Sequence, residues 1–242
     1  MRWEVASTER IGGRLEQQDG VACFLSADRE DSLLVLGDGM GGHSGGRMAS
    51  QRLLEVAERK WQSRRACENA GQFLEDLCQE AHDELNLVGA HLDLEPHSTM
   101  VALLIQEMHG YWVHVGDSRL YHFRANALVD RTKDHSLLRL LVDAGEVGEE
   151  DVANHPNQNL LLRSIGGDTR PKATHGSAAL QRDDGFLLCS DGLWQVITVN
   201  EMAAALAAPA LNESLNQLAD LAVARGGTNG DNVSVAGVRI VR

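Results

Sequence analysis

Four short apolar runs follow one another between Ser98 and Thr132: "STMVALLIQ", "GYWVHVGD", "SRLYHFRA" and "ALVDRT". Only tight polar turns, such as residues 107–110, separate them. Links this short join antiparallel neighbours, because a parallel crossover needs a dozen or more residues. The middle of the chain is therefore hairpin-ordered sheet and not a βαβ repeat. "VACFLS" (21–26) and "SLLVLG" (32–37) have strand length and predict a further neighbouring pair, while the stretch before them alternates only weakly. Apolar residues at helical spacing predict helices over about 44–62, 68–88 and 200–225, and "NVSVAGVRIV" predicts a closing strand. These orders give an α+β class with helices layered on antiparallel sheets. No low-complexity linker or internal repeat interrupts residues 1–242, so a single domain is expected. The stretch from about 135 to 165 starts helical and then turns polar around Pro156, which predicts a mobile insertion.

Charge narrows the partners. The formal charge is −13 with three lysines, Lys60, Lys133 and Lys172, which opposes nucleic-acid or anionic-membrane binding. An acidic surface suits a protein that concentrates metal cations. The four cysteines form no C-x-x-C pair, no leader pattern opens the chain, and no apolar run reaches the roughly 20 residues that span a bilayer. A cytoplasmic protein with reduced thiols is the expectation.

Acids mark the strand ends. Asp38 in "VLGDGMGG", Asp117 in "VHVGDSR" and Asp191 in "LLCSDGLW" each end a predicted strand, and Asp231 in "TNGDNVSV" precedes the last one. One such acid is ordinary turn chemistry. Four converging carboxylates would repel one another without a cation. Oxygen donors with no Cys or His cluster favour Mg²⁺ or Mn²⁺ over zinc. Glycine after Asp38 lets the backbone approach closely, so the Gly39 carbonyl is a further candidate ligand, and Asp19, closing "RLEQQD", is a fifth acid. Two ions bridged by such acids would activate water for hydrolysis, usually of phosphate esters.

"RLEQQD" (14–19), "GDGMGGHSGG" (37–46), "VGDSRLY" (115–121), "TKDHS" (132–136), "CSDGLW" (189–194) and "GDNVSV" (230–235) resemble, in order and spacing, the signatures of the metal-dependent (PPM, type 2C) serine/threonine protein phosphatases, bacterial members included. The resemblance implies a four-layer α-β-β-α sandwich, with two central antiparallel sheets flanked by helices, and a centre of two Mn²⁺ or Mg²⁺ ions. By position, Asp38 resembles the bridging acid, Gly39 the carbonyl ligand, and Asp191 and Asp231 the other direct ligands. Asp19 resembles the acid that holds metal-bound water. Asp117, with Asp191, resembles the site of a third, weaker ion. Arg14 resembles the phosphate-binding arginine and His43 the general acid for the leaving oxygen. Gln17 stands where Asn is common and Gln18 where the family has an acid, which implies one water-mediated carboxylate contact fewer. The implied partners are phosphorylated proteins and an opposing serine/threonine kinase, and the implied state is a monomer. The region 135–165 corresponds to the flap.

Other readings compete locally. "GHSGG" satisfies the serine-hydrolase elbow pattern G-x-S-x-G around Ser44, but the hairpin order opposes it and the apolar run ends at Leu36; Ser44 is read as a helix cap. A pseudo-phosphatase that binds phosphoproteins without turnover would be marked by loss of Arg14 or a metal acid, and all are present. "TKDHS" is read as a structural turn, because three consecutive residues cannot form a triad. His97, His109, His114 and His122 are expected near hairpins, facing solvent or stacked on a sheet, and His155 is a minor substrate-contact candidate.

Overall fold

The computed structural model describes residues 2–28, 30–40, 42–65, 69–148 and 160–241. Among the described residues, eleven strands and six α-helices follow in the order β1 (Arg2–Arg10), β2 (Asp19–Leu25), β3 (Ser32–Met40), α1 (Gly42–Ser63), α2 (Ala70–Leu92), β4 (His97–Ser98), β5 (Met100–Gln106), β6 (His109–Val115), β7 (Arg119–Arg124), β8 (Ala127–Arg131), α3 (Leu137–Asp143), β9 (Thr174–Ala179), β10 (Asp184–Cys189), α4 (Asp191–Trp194), α5 (Val199–Ala207), α6 (Leu211–Gly226) and β11 (Val233–Val241). One sheet has the order β1-β11-β10-β7-β8. The other runs β2-β3-β5-β6-β9, with β4 added beside β3. Every strand pairing is antiparallel, as the short turns require.

Side-chain alternation builds the layers. Leu33 and Val35 of β3 pack under α1 and α2 with Val56, Phe73 and Leu77, whereas Leu34 and Leu36 face the other sheet and meet Phe186, Leu188 and Val238. On the far side, Leu187, Cys189 and Val235 pack against Met202, Leu215 and Ala219 of α5 and α6. The central strands of both sheets are thus buried on both faces, which explains why they read as continuous apolar runs. The expected four-layer sandwich is the observed one.

Several local expectations change. The single helix over 200–225 is two helices: Ala208 leaves helical geometry at ψ 149°, as the residue before a proline tends to do, and Pro209 follows. The N-terminal stretch, weakly patterned, is a full strand held by nine partners along β11. "THGSAA" is an edge strand that apolar patterning missed. Strand β3 runs past the apolar segment to Met40 and α1 begins at Gly42, so Ser44 falls inside the first helical turn and not at the cap. For His114 and His122 the stacked alternative holds over solvent exposure: both are buried, with their rings stacked on His135 and Phe186 at centroid separations of 4.2 and 4.4 Å. Of the flap, residues 149–159, including His155 and Pro156, lie outside the described residues. Its flanks are tied down by bridges Ser136–Leu161 and Ser98–Ile165.

Candidate metal centre

Strand register brings the first two acids together. Asp19 opens β2 and Asp38 lies near the end of β3, and they are direct partners in the antiparallel ladder. Partners in a ladder point to the same face, with Cβ atoms about 5 Å apart. The Asp38 loop is fixed by its main chain. The Asp38 amide donates to Thr99 Oγ1 at 2.8 Å, its carbonyl accepts from the Thr99 amide at 2.9 Å, and the Gly39 amide donates to the Gln18 carbonyl at 3.1 Å. A Cβ on Gly39 would stand 1.9 Å from the Gly46 carbonyl oxygen, so only glycine lets the strand end lie against α1.

The opposite sheet supplies the other acids. Asp191 is the first residue of α4, separated from β10 by Ser190 alone, and Asp231 precedes β11. The Ser190 hydroxyl donates to Asp19 Oδ2 at 2.7 Å and accepts from the Ser234 amide at 3.0 Å, which joins the two sheets at their acidic end. Asp117 follows β6. Its carbonyl accepts from Trp194 Nε1 at 3.0 Å, and Trp194 is itself covered by the Arg119 guanidinium 3.5 Å from its ring centroid. Arg119 also makes a bidentate pair with Asp134. "TKDHS" is therefore a structural junction: Asp134 holds Arg119, His135 accepts from the Gly116 amide and Ser136 caps α3.

The carboxylates sense one another. Burial pushes Asp19 up to about 7, with the charges of Asp191 and Asp231 adding to the shift. Asp191 rises to about 7 through burial and the charge of Asp231. Asp38 is held well above the usual carboxylate range by burial and then by Asp19, Asp191, Asp117 and Asp231. Asp117 is raised by burial and by Asp191. Asp191 Oδ1 is buried with no hydrogen-bond partner. A hard cation would relieve both the repulsion and the unpartnered oxygen. Among the described residues no group of three His, Cys, Asp or Glu side chains is placed to hold a metal ion by itself. A Mg²⁺-like ion that keeps several waters does not need one.

Arg14 closes one side of the cluster, its Nη2 lying 2.5 Å from Asp231 Oδ2. His43 falls in the first turn of α1, and its side chain is outside the described atoms. Reading the sequence for roles missed Asn232. Its amide donates to the carbonyls of Ile11 and Glu16 at 2.8 and 3.1 Å, and its oxygen accepts from the Gln18 amide at 2.8 Å. This residue pins the Arg14 loop to the acidic end, and its signal in the sequence was its place next to Asp231 within "GDNVSV".

The protein phosphatase 2C family pattern matches residues 8–224. The chain belongs to the protein phosphatase 2C family. It is a metal-dependent serine/threonine phosphatase of that type. Serine/threonine phosphatase stp of Listeria monocytogenes (serotype 4b) is 31% identical over 235 residues, 94% of this chain and 92% of that protein. The S. agalactiae serine/threonine phosphatase structure superposes with a TM-score of 0.88 at 29% identity, covering 99% of this chain and all of that one. The catalytic domain of the phosphatase PstP, solved with two manganese ions, gives a TM-score of 0.84 at 28% identity and covers 99% of each chain. Among the described residues of this phosphatase, no helix is long and apolar enough to cross a membrane.

Proposed function

We propose that this phosphatase hydrolyses phosphoserine and phosphothreonine side chains of proteins at a centre of two Mn²⁺ or Mg²⁺ ions, acting against a serine/threonine kinase. The observation that carries the reading is the set of carboxylates on both sheets that raise one another's proton affinity around the unpartnered Asp191 Oδ1. Asp38, Asp191, Asp231 and the Gly39 carbonyl would hold the two ions, with Asp19 orienting coordinated water. Asp117 and Asp191 would hold a third, weaker one. The two manganese ions in the PstP domain structure support a centre of two ions. When bound, the ions supply Lewis acidity that activates water and offsets phosphate charge.

The chain's own groups do the rest. Arg14 offers a planar guanidinium fork to the phosphate oxygens from the same mouth as Asp231. His43, in the first turn of α1, donates a proton to the departing serine or threonine oxygen. Asn232 keeps the Arg14 loop in place. Neither competing reading gains an observation: Arg14 and the acids are present, and the all-antiparallel sheets lack the βαβ frame of a serine-hydrolase elbow.

The test is phosphate release from a phosphothreonine peptide by protein stripped with EDTA and then reloaded with Mn²⁺ or Mg²⁺. Turnover should depend on the added ion, and Asp38→Ala should lower it by at least about 10³-fold, the scale of several kcal/mol of charge stabilisation. Full activity in the stripped protein overturns the reading.

A further inference from the structure

A groove of about 710 Å³ begins where β3 ends, at Met40, two residues from Asp38. Its floor is built, not a loose loop. Ser98 and Ile165 exchange amide–carbonyl bonds of 2.9 and 3.1 Å, the Gly166 amide donates to His82 Nδ1 at 3.1 Å, and Asn86 donates to the Gly167 carbonyl at 3.0 Å. Gly166 and Gly167 have φ of +85° and +78°, and a Cβ on Gly166 would stand 2.2 Å from the Pro96 carbonyl oxygen. The bend that shapes the groove therefore requires glycine.

The walls combine apolar and cationic side chains. Leu160 and Leu162 are about half exposed, at 49% and 51%. Arg170 and Lys172 are exposed on the rim, and Asp168 is the one acid among the described lining residues. Arg170 donates to the neutral Gln79 Oε1, and among the described residues neither it nor Lys172 takes part in an ion pair. Lys172 is further positioned by its carbonyl, which accepts from Arg163 Nη1 at 3.0 Å. With Arg163 also in the lining, three cations beside exposed leucines are conspicuous on a chain of net charge −13. Charges more than about 10 Å away are screened at physiological salt, so a ligand in the groove senses first the lining charges, Arg163, Arg170 and Lys172 against Asp168.

Resting on the phosphatase reading above, we infer that this groove binds the substrate segment flanking the phosphorylated residue, and that the preferred segment carries acidic residues interleaved with apolar ones. Arg170 and Lys172 attract the acids, and Leu160 and Leu162 receive the apolar side chains. The phosphate itself stays at the acidic end with Arg14, so the groove determines which phosphoprotein is taken and not the chemistry.

Two phosphothreonine peptides, identical except for Glu or Gln at the flanking positions, test this with Mn²⁺-loaded enzyme. The Glu peptide should have a kcat/KM about fivefold higher, expressed mainly in KM, as expected for two solvent-exposed charge pairs. Raising the salt should shrink the ratio. Arg170→Glu with Lys172→Glu should bring the ratio to one or below. The readout is a ratio within one enzyme, and misfolding lowers both peptides alike. A wild-type ratio of one, or a ratio the double variant leaves unchanged, overturns the inference. p-Nitrophenyl phosphate, too small to reach the groove, separates the two failures. If it is hydrolysed in a metal-dependent way while the peptides are not distinguished, only the groove assignment falls; if it is not hydrolysed, the phosphatase reading falls with it.

Discussion

Asp19 and Asp38 stand opposite each other as direct partners on β2 and β3, two carboxylates side by side on one face of a buried sheet. Like charges in that relation destabilise a ladder. Here Asp191, Asp117 and Asp231 add to the same field. The fold carries this repulsion at one end of a sandwich whose three apolar layers supply the stability.

Removing one of the charges should therefore stabilise the metal-free protein. Asp117→Asn keeps shape and hydrogen-bonding capacity while deleting a buried charge next to Asp191. Its thermal midpoint in EDTA at pH 7.5 should rise by about 2–4 °C, the shift that ~1 kcal/mol gives in a chain of this size. A fall in the midpoint would show that Asp117 is stabilising and not strained.

Arg14 is about half exposed, with Asp231 as its ion-pair partner, so its loss should cost little stability. Arg14→Ala should lower kcat/KM on phosphopeptides by roughly ten- to a hundredfold through KM, the worth of charge-assisted hydrogen bonds to phosphate. Arg14→Lys should recover only part, because an ammonium cannot make the two-pronged contact. Steady-state kinetics on one phosphothreonine peptide decides it.

Asn232→Ala should do what Arg14→Ala does by an indirect route. It leaves the Ile11 and Glu16 carbonyls and the Gln18 amide without their side-chain partner. The expected stability loss is about 1–3 kcal/mol, read by urea unfolding. Phosphopeptide KM should rise as well, since the loop that carries Arg14 is no longer tied down. Lost stability with unchanged KM would confine Asn232 to a structural role.

Far from the site, Glu201 closes the capping box of α5 with Thr198 and pairs with Arg225 at 2.6 Å. The Arg225 hydrogen bond first, and then those from Thr198, hold its carboxyl down at about 2. A depressed acid stabilises the fold above its ordinary value of 4.5 and loses that contribution as pH falls through about 2. Glu201→Gln keeps the capping geometry without the charge. The urea midpoint of the wild type should exceed that of the variant at pH 6, and the gap should close as pH falls from about 4.5 to 2. A gap that does not vary with pH would assign the effect to packing.

The sequence was most legible where one residue type has one physical use. Hairpin spacing required antiparallel sheets, and Asp-Gly pairs at strand ends pointed to the acids. It was least legible where neighbours decide. The edge strand Thr174–Ala179 has little apolar signal and exists because β6 offers it a ladder. His114 and His122 read as hairpin residues, yet they are buried because β6 and β7 have both faces covered. Arg119, which no local pattern assigned a role, is a brace, clamped by Asp134 and laid on Trp194.

By itself the sequence determined the antiparallel α+β class, the identity of the acids and the order in which they occur, because hydrophobic period and turn chemistry are local properties of the chain. The tertiary structure alone decided that Asp19 faces Asp38, that Ser190 ties the two sheets together beneath them, and that Asn232 holds the Arg14 loop. Those relations join residues up to 221 positions apart. They depend on strand register and sheet packing, which no local pattern encodes, because a slip of one residue would turn every side chain of a strand to its other face.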